Sequence, residues 1–193
     1  MASLSDYRRI YLYNRRVFEA YLEDLGRLPW TEAVKGRGAG HDSLAGTLQH
    51  ILRVHEAWIV YVLPGRVSQM QKDRATRPGI ERFPALRRES HRVWREVFRE
   101  LRSLTEEDLG RRVRAPWMPG VYDVEDALMQ STLEQAHHLG ELIAMYWQMD
   151  REPPQMVWIL NRPPRSAPAG RPSPAPKVPP APKRRRALRL KKA

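Results

Sequence analysis

Cysteine is missing from all 193 residues, which removes disulfides, thiolate metal ligands and a protein-borne sulfur nucleophile. Long apolar runs are missing too. The most apolar stretch, Ala57 to Leu63, is far short of the ~20 residues a membrane helix needs. The opening residues, Met1 to Arg9, contain no apolar core of a signal peptide. These absences lead us to expect a cytoplasmic protein with no membrane association. No period-two alternation of useful length and no internal repeat occurs, so an extended β-sheet is not expected.

Acid is the last shortage, and it is local. All 22 Asp and Glu precede Asn161, and 23 of the 34 Lys and Arg accompany them. The remaining eleven basic residues lie between Arg162 and Ala193. The formal charge of +12 therefore describes the C-terminal segment, not a nucleic-acid-binding fold. That segment is dominated by Pro, Ala, Arg and Lys and cannot bury a core, so residues 161–193 are expected to be a disordered tail. Its cations suit weak, nonspecific nucleic-acid association by counterion release at most.

The rest of the chain reads as helix. A first segment, roughly Asp6 to Leu25, carries Ile10, Val17, Tyr21 and Leu25 at helical spacing, and Gly26 and Pro29 end it. After a Gly-rich connection, Asp42 or Ser43 caps a second helix, in which Leu44, Leu48, Ile51, His55, Trp58 and Val62 make a seam. Arg66 to Arg82 is basic and weakly patterned and is expected to be a loop with at most a helical turn. Pro84 opens a third helix with Leu86, Val97 and Leu101 buried. Thr105 to Asp108 suggests a capped turn, and the Pro-rich stretch Val113 to Tyr122 an irregular or extended one. Asp123 then caps a fourth helix reaching about Met149. Four helices of about 20 residues imply an all-α, antiparallel four-helix bundle over residues 1–160.

The chemistry-bearing residues lie on the second and fourth helices. Glu134 and His138 are four apart and share one helical face. His50 lies on a helix able to pack against them. Two imidazoles and one carboxylate from two helices would make an open site for a divalent metal ion such as zinc, nickel, iron or manganese. A ligating histidine needs an acceptor for its other ring N–H, and Glu141 and Glu56 are the candidates. His55 is about 140° round the helix from His50 and either plugs the core or lines a pocket. His137 should lie off the site, His91 on the surface and His41 in a loop. Trp117 and Met118 either close over the site or cover the end of the bundle. Tyr13 and Asn14 either project polar groups into a cavity or pack.

Several segments resemble, in order, the DinB/YfiT-like superfamily of metal-binding four-helix bundles. They are Tyr13-Asn14-Arg15-Arg16-Val17, Ser43 to Leu52 with Glu56 and Trp58, Leu104 to Leu109, His137-His138-Leu139-Gly140-Glu141-Leu142-Ile143, and Glu152-Pro153-Pro154 leading to Trp158-Ile159. The resemblance spans roughly residues 6–160. It implies one metal histidine on the second helix and two, spaced by four, on the fourth. Aligned on Gly140, His50 and His138 take two of these positions. Glu134 stands where a histidine is usual, and Leu139 and Glu141 replace an arginine and a glutamine.

The resemblance also implies function. Members include thiol-dependent S-transferases and a mycothiol-dependent maleylpyruvate isomerase, in which a metal lowers the pKa of a low-molecular-weight thiol. A cysteine-free chain fits a sulfur supplied by a cosubstrate. His50, Glu134 and His138 would then be ligands and Glu141 the orienter or proton acceptor. A metal-dependent hydrolase is the nearby variant, and a homodimer is implied by resemblance alone. The competing reading is a non-catalytic, stress-associated bundle whose metal site has drifted.

Overall fold

The computed structural model describes residues 2–161. The expectations of a disordered tail and of its nucleic-acid association fall on 162–193, outside the described residues.

Each long helix begins where the sequence supplies a cap or a proline. Helix α1 (Leu4–Leu25) starts at Ser3, whose hydroxyl accepts from the Asp6 amide while Asp6 accepts from the Ser3 amide. A short turn of helix, α2 (Trp30–Ala33), follows. Helix α3 (Leu44–His55) is capped by Ser43, which accepts from the Gly46 amide. A π-helical segment, Glu56–Val62, continues it. Helix α4 (Val67–Ala75) comes next, then α5 (Phe83–Ser103) with Pro84 in its first turn. A 3₁₀ turn, Glu107–Gly110, leads to β1 (Arg112–Val113), which pairs antiparallel with β2 (Tyr122–Asp123). Helix α6 (Val124–Gln148) starts as the Asp126 carboxylate accepts from the Asp123 amide. The last element, α7, is Trp158–Asn161.

Side-chain contacts give the helix directions. The start of α1 meets the end of α5 through Arg8 and the Leu101 carbonyl, and the start of α6 through Tyr7 and Glu125. Its end meets the end of α6 through Asp24 and Tyr146. His50 faces His138, and His55 faces Gln135. Glu56 meets Arg92 as Arg66 meets Glu100. Thus α1 and α6 run one way, and α3 and α5 the other. The all-α antiparallel bundle has two helices in each direction, and the segment carrying α4 crosses over between the parallel pair α3 and α5. No described helix is long and apolar enough to cross a membrane.

His55 plugs the core. Its ring is fully buried and touches Tyr11 and Trp94. The Gln135 amide nitrogen is committed to the Asn14 carbonyl, so the Gln135 oxygen is the acceptor and His55 Nε2–H donates to it at 2.6 Å. Burial pushes the His55 pKa down to about 4, so the core holds a neutral imidazole.

Two local expectations need correction. The 66–82 segment is not all loop: Val67–Ala75 is helical, with weak patterning because only Met70 of this helix is buried. The second helix is not α-helical throughout. All seven residues of Glu56–Val62 are buried, and Leu63 N–H donates to the Trp58 carbonyl five residues back.

Candidate metal centre

Helix α3 presents His50 and helix α6 presents His138, with ring centroids 4.5 Å apart. His138 is buried. Its Nδ1 lies 2.6 Å from Glu141 Oε2, and its buried Nε2 has no hydrogen-bond partner. The N–H at Nδ1 therefore donates to the carboxylate, which leaves Nε2, 3.4 Å from Glu134 Oε2, as the nitrogen able to face a ligand. A carboxylate that holds one ring nitrogen while the other faces a ligand position is the arrangement metal-ligating histidines use.

A third imidazole arrives from the loop before α3. His41 stacks on His50 with centroids 3.6 Å apart and lies 5.2 Å from the His138 ring. The ligand atoms of His41, His50 and His138 all lie within 4.8 Å of one another. Sequence reasoning left His41 in a loop, because its approach depends on backbone turns and not on helical periodicity. Three residues of that loop, Gly38, Gly40 and Asp42, have positive φ. At Gly40, which has φ +54, a Cβ would stand 2.4 Å from Glu141 Oε2. At Gly46 a Cβ would stand 2.5 Å from the His41 carbonyl oxygen. These two glycines let the loop lie directly on α3 and on the Glu141 carboxylate. The His41 amide donates to Thr47 Oγ1.

Glu134 touches the cluster at one edge. Its Oε2 is 3.4 Å from His138 Nε2, and its Oε1 accepts from Gln130. It belongs to neither group of three ligand atoms that converge within 4.8 Å among the described residues; the second such group is His137, His138 and Glu141. In a tetrahedral site, bonds of about 2.0–2.1 Å place ligand atoms roughly 3.4 Å apart. The Glu134–His138 separation matches that edge.

The electrostatics suit a cation. Burial, then the neighbouring His41 and His138, push the His50 pKa down to about 4. Burial, then His138, pushes that of His41 down as well. Both rings are neutral near pH 7, which is the ligating form. A buried Nε2 without a partner, two neutral imidazoles and a carboxylate at tetrahedral spacing fit a divalent ion of the zinc-to-manganese series.

Other predicted residues divide clearly. Glu141 is at the site. Glu56 is not: its buried carboxylate is held by Arg77 and Arg92, each at 2.6 Å. His137 is exposed, 3.2 Å from Glu141 Oε1 and with its ring 5.0 Å from that of His138. His91 is exposed on α5. Trp117 packs edge-on against Trp58 and, with His50, lines a recess of about 220 Å³. Tyr13 and Asn14 line a separate apolar recess between α1, α6 and α7.

A family model described as the DinB superfamily matches residues 11–142. The chain belongs to the DinB superfamily. The match covers α1 through most of α6 and includes His41, His50, Glu134, His138 and Glu141. No curated protein matches the chain. DinB membership accords with the bundle and with a histidine cluster that could hold a metal ion; it names neither the ion nor a reaction.

Proposed function

We propose that this DinB-superfamily chain binds a divalent metal ion through His50, Glu134 and His138, which leaves a coordination position open, and acts in a thiol-dependent transfer reaction. The observation that carries the metal reading is His138 Nε2, buried without a hydrogen bond and 3.4 Å from Glu134 Oε2, while Nδ1 is committed to Glu141. Glu141 fixes the tautomer and orientation of His138, and Gly40 and Gly46 let the His41 loop close on both. A bound divalent ion supplies a charge that lowers the pKa of a coordinated thiol or water. The absence of cysteine supports sulfur delivered by a low-molecular-weight thiol.

One observation favours a second reading. His41 stacked on His50 offers a fourth protein donor, and four protein ligands close a tetrahedral site. The bundle would then carry a structural ion and bind partners without catalysis. Cobalt-loaded protein separates the two readings. A near-ultraviolet sulfur-to-cobalt absorption band on addition of 2-mercaptoethanol is expected for the transferase. Its absence in the parent, with appearance in His41→Ala, would establish a closed site and overturn the catalytic reading.

A further inference from the structure

Next to the histidine cluster the bundle carries a block of arginine that its own acids do not neutralise. Arg53, Arg74, Arg77, Arg88 and Arg92 line a cavity of about 510 Å³ beside α3, α4 and α5. Two carboxylates, Glu56 and Glu89, share that lining. Both are taken up by Arg77 and Arg92, with contacts of 2.6 to 3.5 Å. Arg74 reaches Glu56 only at 3.7 Å. Arg53 and Arg88 form no salt bridge among the described residues.

Arg53 and Arg74 also line the 220 Å³ recess that contains His50. The Arg74 Nη2 donates to the Arg53 carbonyl at 3.2 Å, which ties the two residues together, and Arg74 Nε is buried with no hydrogen-bond partner. The same recess is lined by the rings of Trp58 and Trp117, 5.5 Å apart and edge to face. The recess therefore combines guanidinium donors, an aromatic wall and one imidazole of the metal cluster. It is smaller than the roughly 300–1,000 Å³ of sites for drug-sized ligands, which limits the occupant to about one ring or a short chain.

We propose that this recess is the substrate subsite and takes a small organic carboxylate with an apolar or aromatic body. Arg53 and Arg74 hold the carboxylate, Trp58 and Trp117 flank the body, and the remaining end faces His50. The planar guanidinium forks of arginine match a carboxylate. The indole faces desolvate the contact, which strengthens it. The proposal rests on the metal-centre reading for what happens at His50, but the anion binding itself needs no metal.

The test uses the full chain, metal-free and then metal-loaded, with trans-cinnamate, its neutral analogue trans-cinnamamide and inorganic phosphate as probes. Binding is read by calorimetry and by tryptophan fluorescence, with Trp117→Phe assigning the optical signal. Cinnamate is expected to bind at least about tenfold more tightly than cinnamamide, as a charge-assisted hydrogen bond allows. Arg53→Gln breaks no salt bridge and should fold as the parent does; in it the two probes are expected to bind alike. Arg88→Gln, on the far side of the larger cavity, should leave the preference intact. Equal binding of both probes to the parent would overturn the proposal, as would a preference unchanged in Arg53→Gln. Phosphate binding as tightly as cinnamate, insensitive to Trp117→Phe, would overturn the organic-carboxylate assignment. Cinnamate preference without metal uptake would count against the metal centre alone, and metal uptake without the preference against the subsite alone.

Discussion

Glu141 Oε2 lies 2.6 Å from Nδ1 of His138, and this contact decides which nitrogen His138 can offer a ligand. Replacing Glu141 by Ala frees the ring to turn and to change tautomer. Loss of such an outer acceptor costs about 10- to 100-fold in metal affinity. Competition with a chromogenic chelator should show a drop of that order for Glu141→Ala and a smaller one for Glu141→Gln, which keeps an acceptor oxygen. Unchanged affinity in Glu141→Ala would detach Glu141 from the site.

Gly40 has φ +54, and a Cβ there would stand 2.4 Å from Glu141 Oε2. Gly40→Ala should therefore do two things. It should destabilise the chain by about 1 kcal/mol or more through the backbone, and it should weaken metal binding by displacing Glu141. Because both substitutions act on one contact, Gly40→Ala and Glu141→Ala should be non-additive in metal affinity. Additive losses in the double variant would show that the loop and the carboxylate act separately.

Glu56 is the buried counter-ion of Arg77 and Arg92. Glu56→Ala removes the buried carboxylate between these two guanidinium groups, leaving Glu89 to both and Glu96 to Arg92, and should destabilise the fold by about 3 kcal/mol. The exposed pair Arg27–Glu23 provides the contrast, and Glu23→Ala should stay within about 0.5 kcal/mol. Urea midpoints compare the two. Similar shifts would mean that the Glu56 network is as wet as the surface pair.

His55 makes stability depend on pH in a predictable direction. Burial lowers its pKa from 6.5 to about 4. The unfolded chain takes up this proton near 6.5, and the native chain does not do so until about 4. Stability is thus full above pH 6.5, falls as the pH drops through that window by up to roughly 3 kcal/mol, and then levels off for this group. Urea unfolding of metal-free protein at about pH 7 and about pH 5 should show this fall. In His55→Gln the fall should shrink by the His55 share, with the lowered His50 and His41 supplying what remains; equal falls in both proteins would assign the whole effect to those other groups.

The four long helices were legible because their buried faces repeat every three to four residues and three of their starts are marked locally, at Ser43, Pro84 and Asp123; the cap at Ser3 lies upstream of the expected start at Asp6. His50, His138 and Glu141 were legible from motif order on those helices. His41 was not. Its place depends on positive φ at Gly38, Gly40 and Asp42 and on close approach at Gly46, and none of these leaves a periodic signal. The one clue was the glycine run before it, which earned only the reading of a connection. The π-helical segment was hidden because a fully buried stretch satisfies α and π spacing alike. Glu56 was misplaced because its partners Arg77 and Arg92 lie 21 and 36 residues away, beyond the reach of pattern reading.

Metal content by mass spectrometry on untagged protein tests the account most directly, with the parent beside His50→Ala, His138→Ala, His41→Ala and Glu134→Ala. The account predicts near-stoichiometric divalent metal in the parent and its loss in His50→Ala and His138→Ala, with weakened retention in the other two. A parent that holds no metal after reconstitution with zinc, nickel or manganese would contradict it, as would a His138→Ala protein that holds as much as the parent.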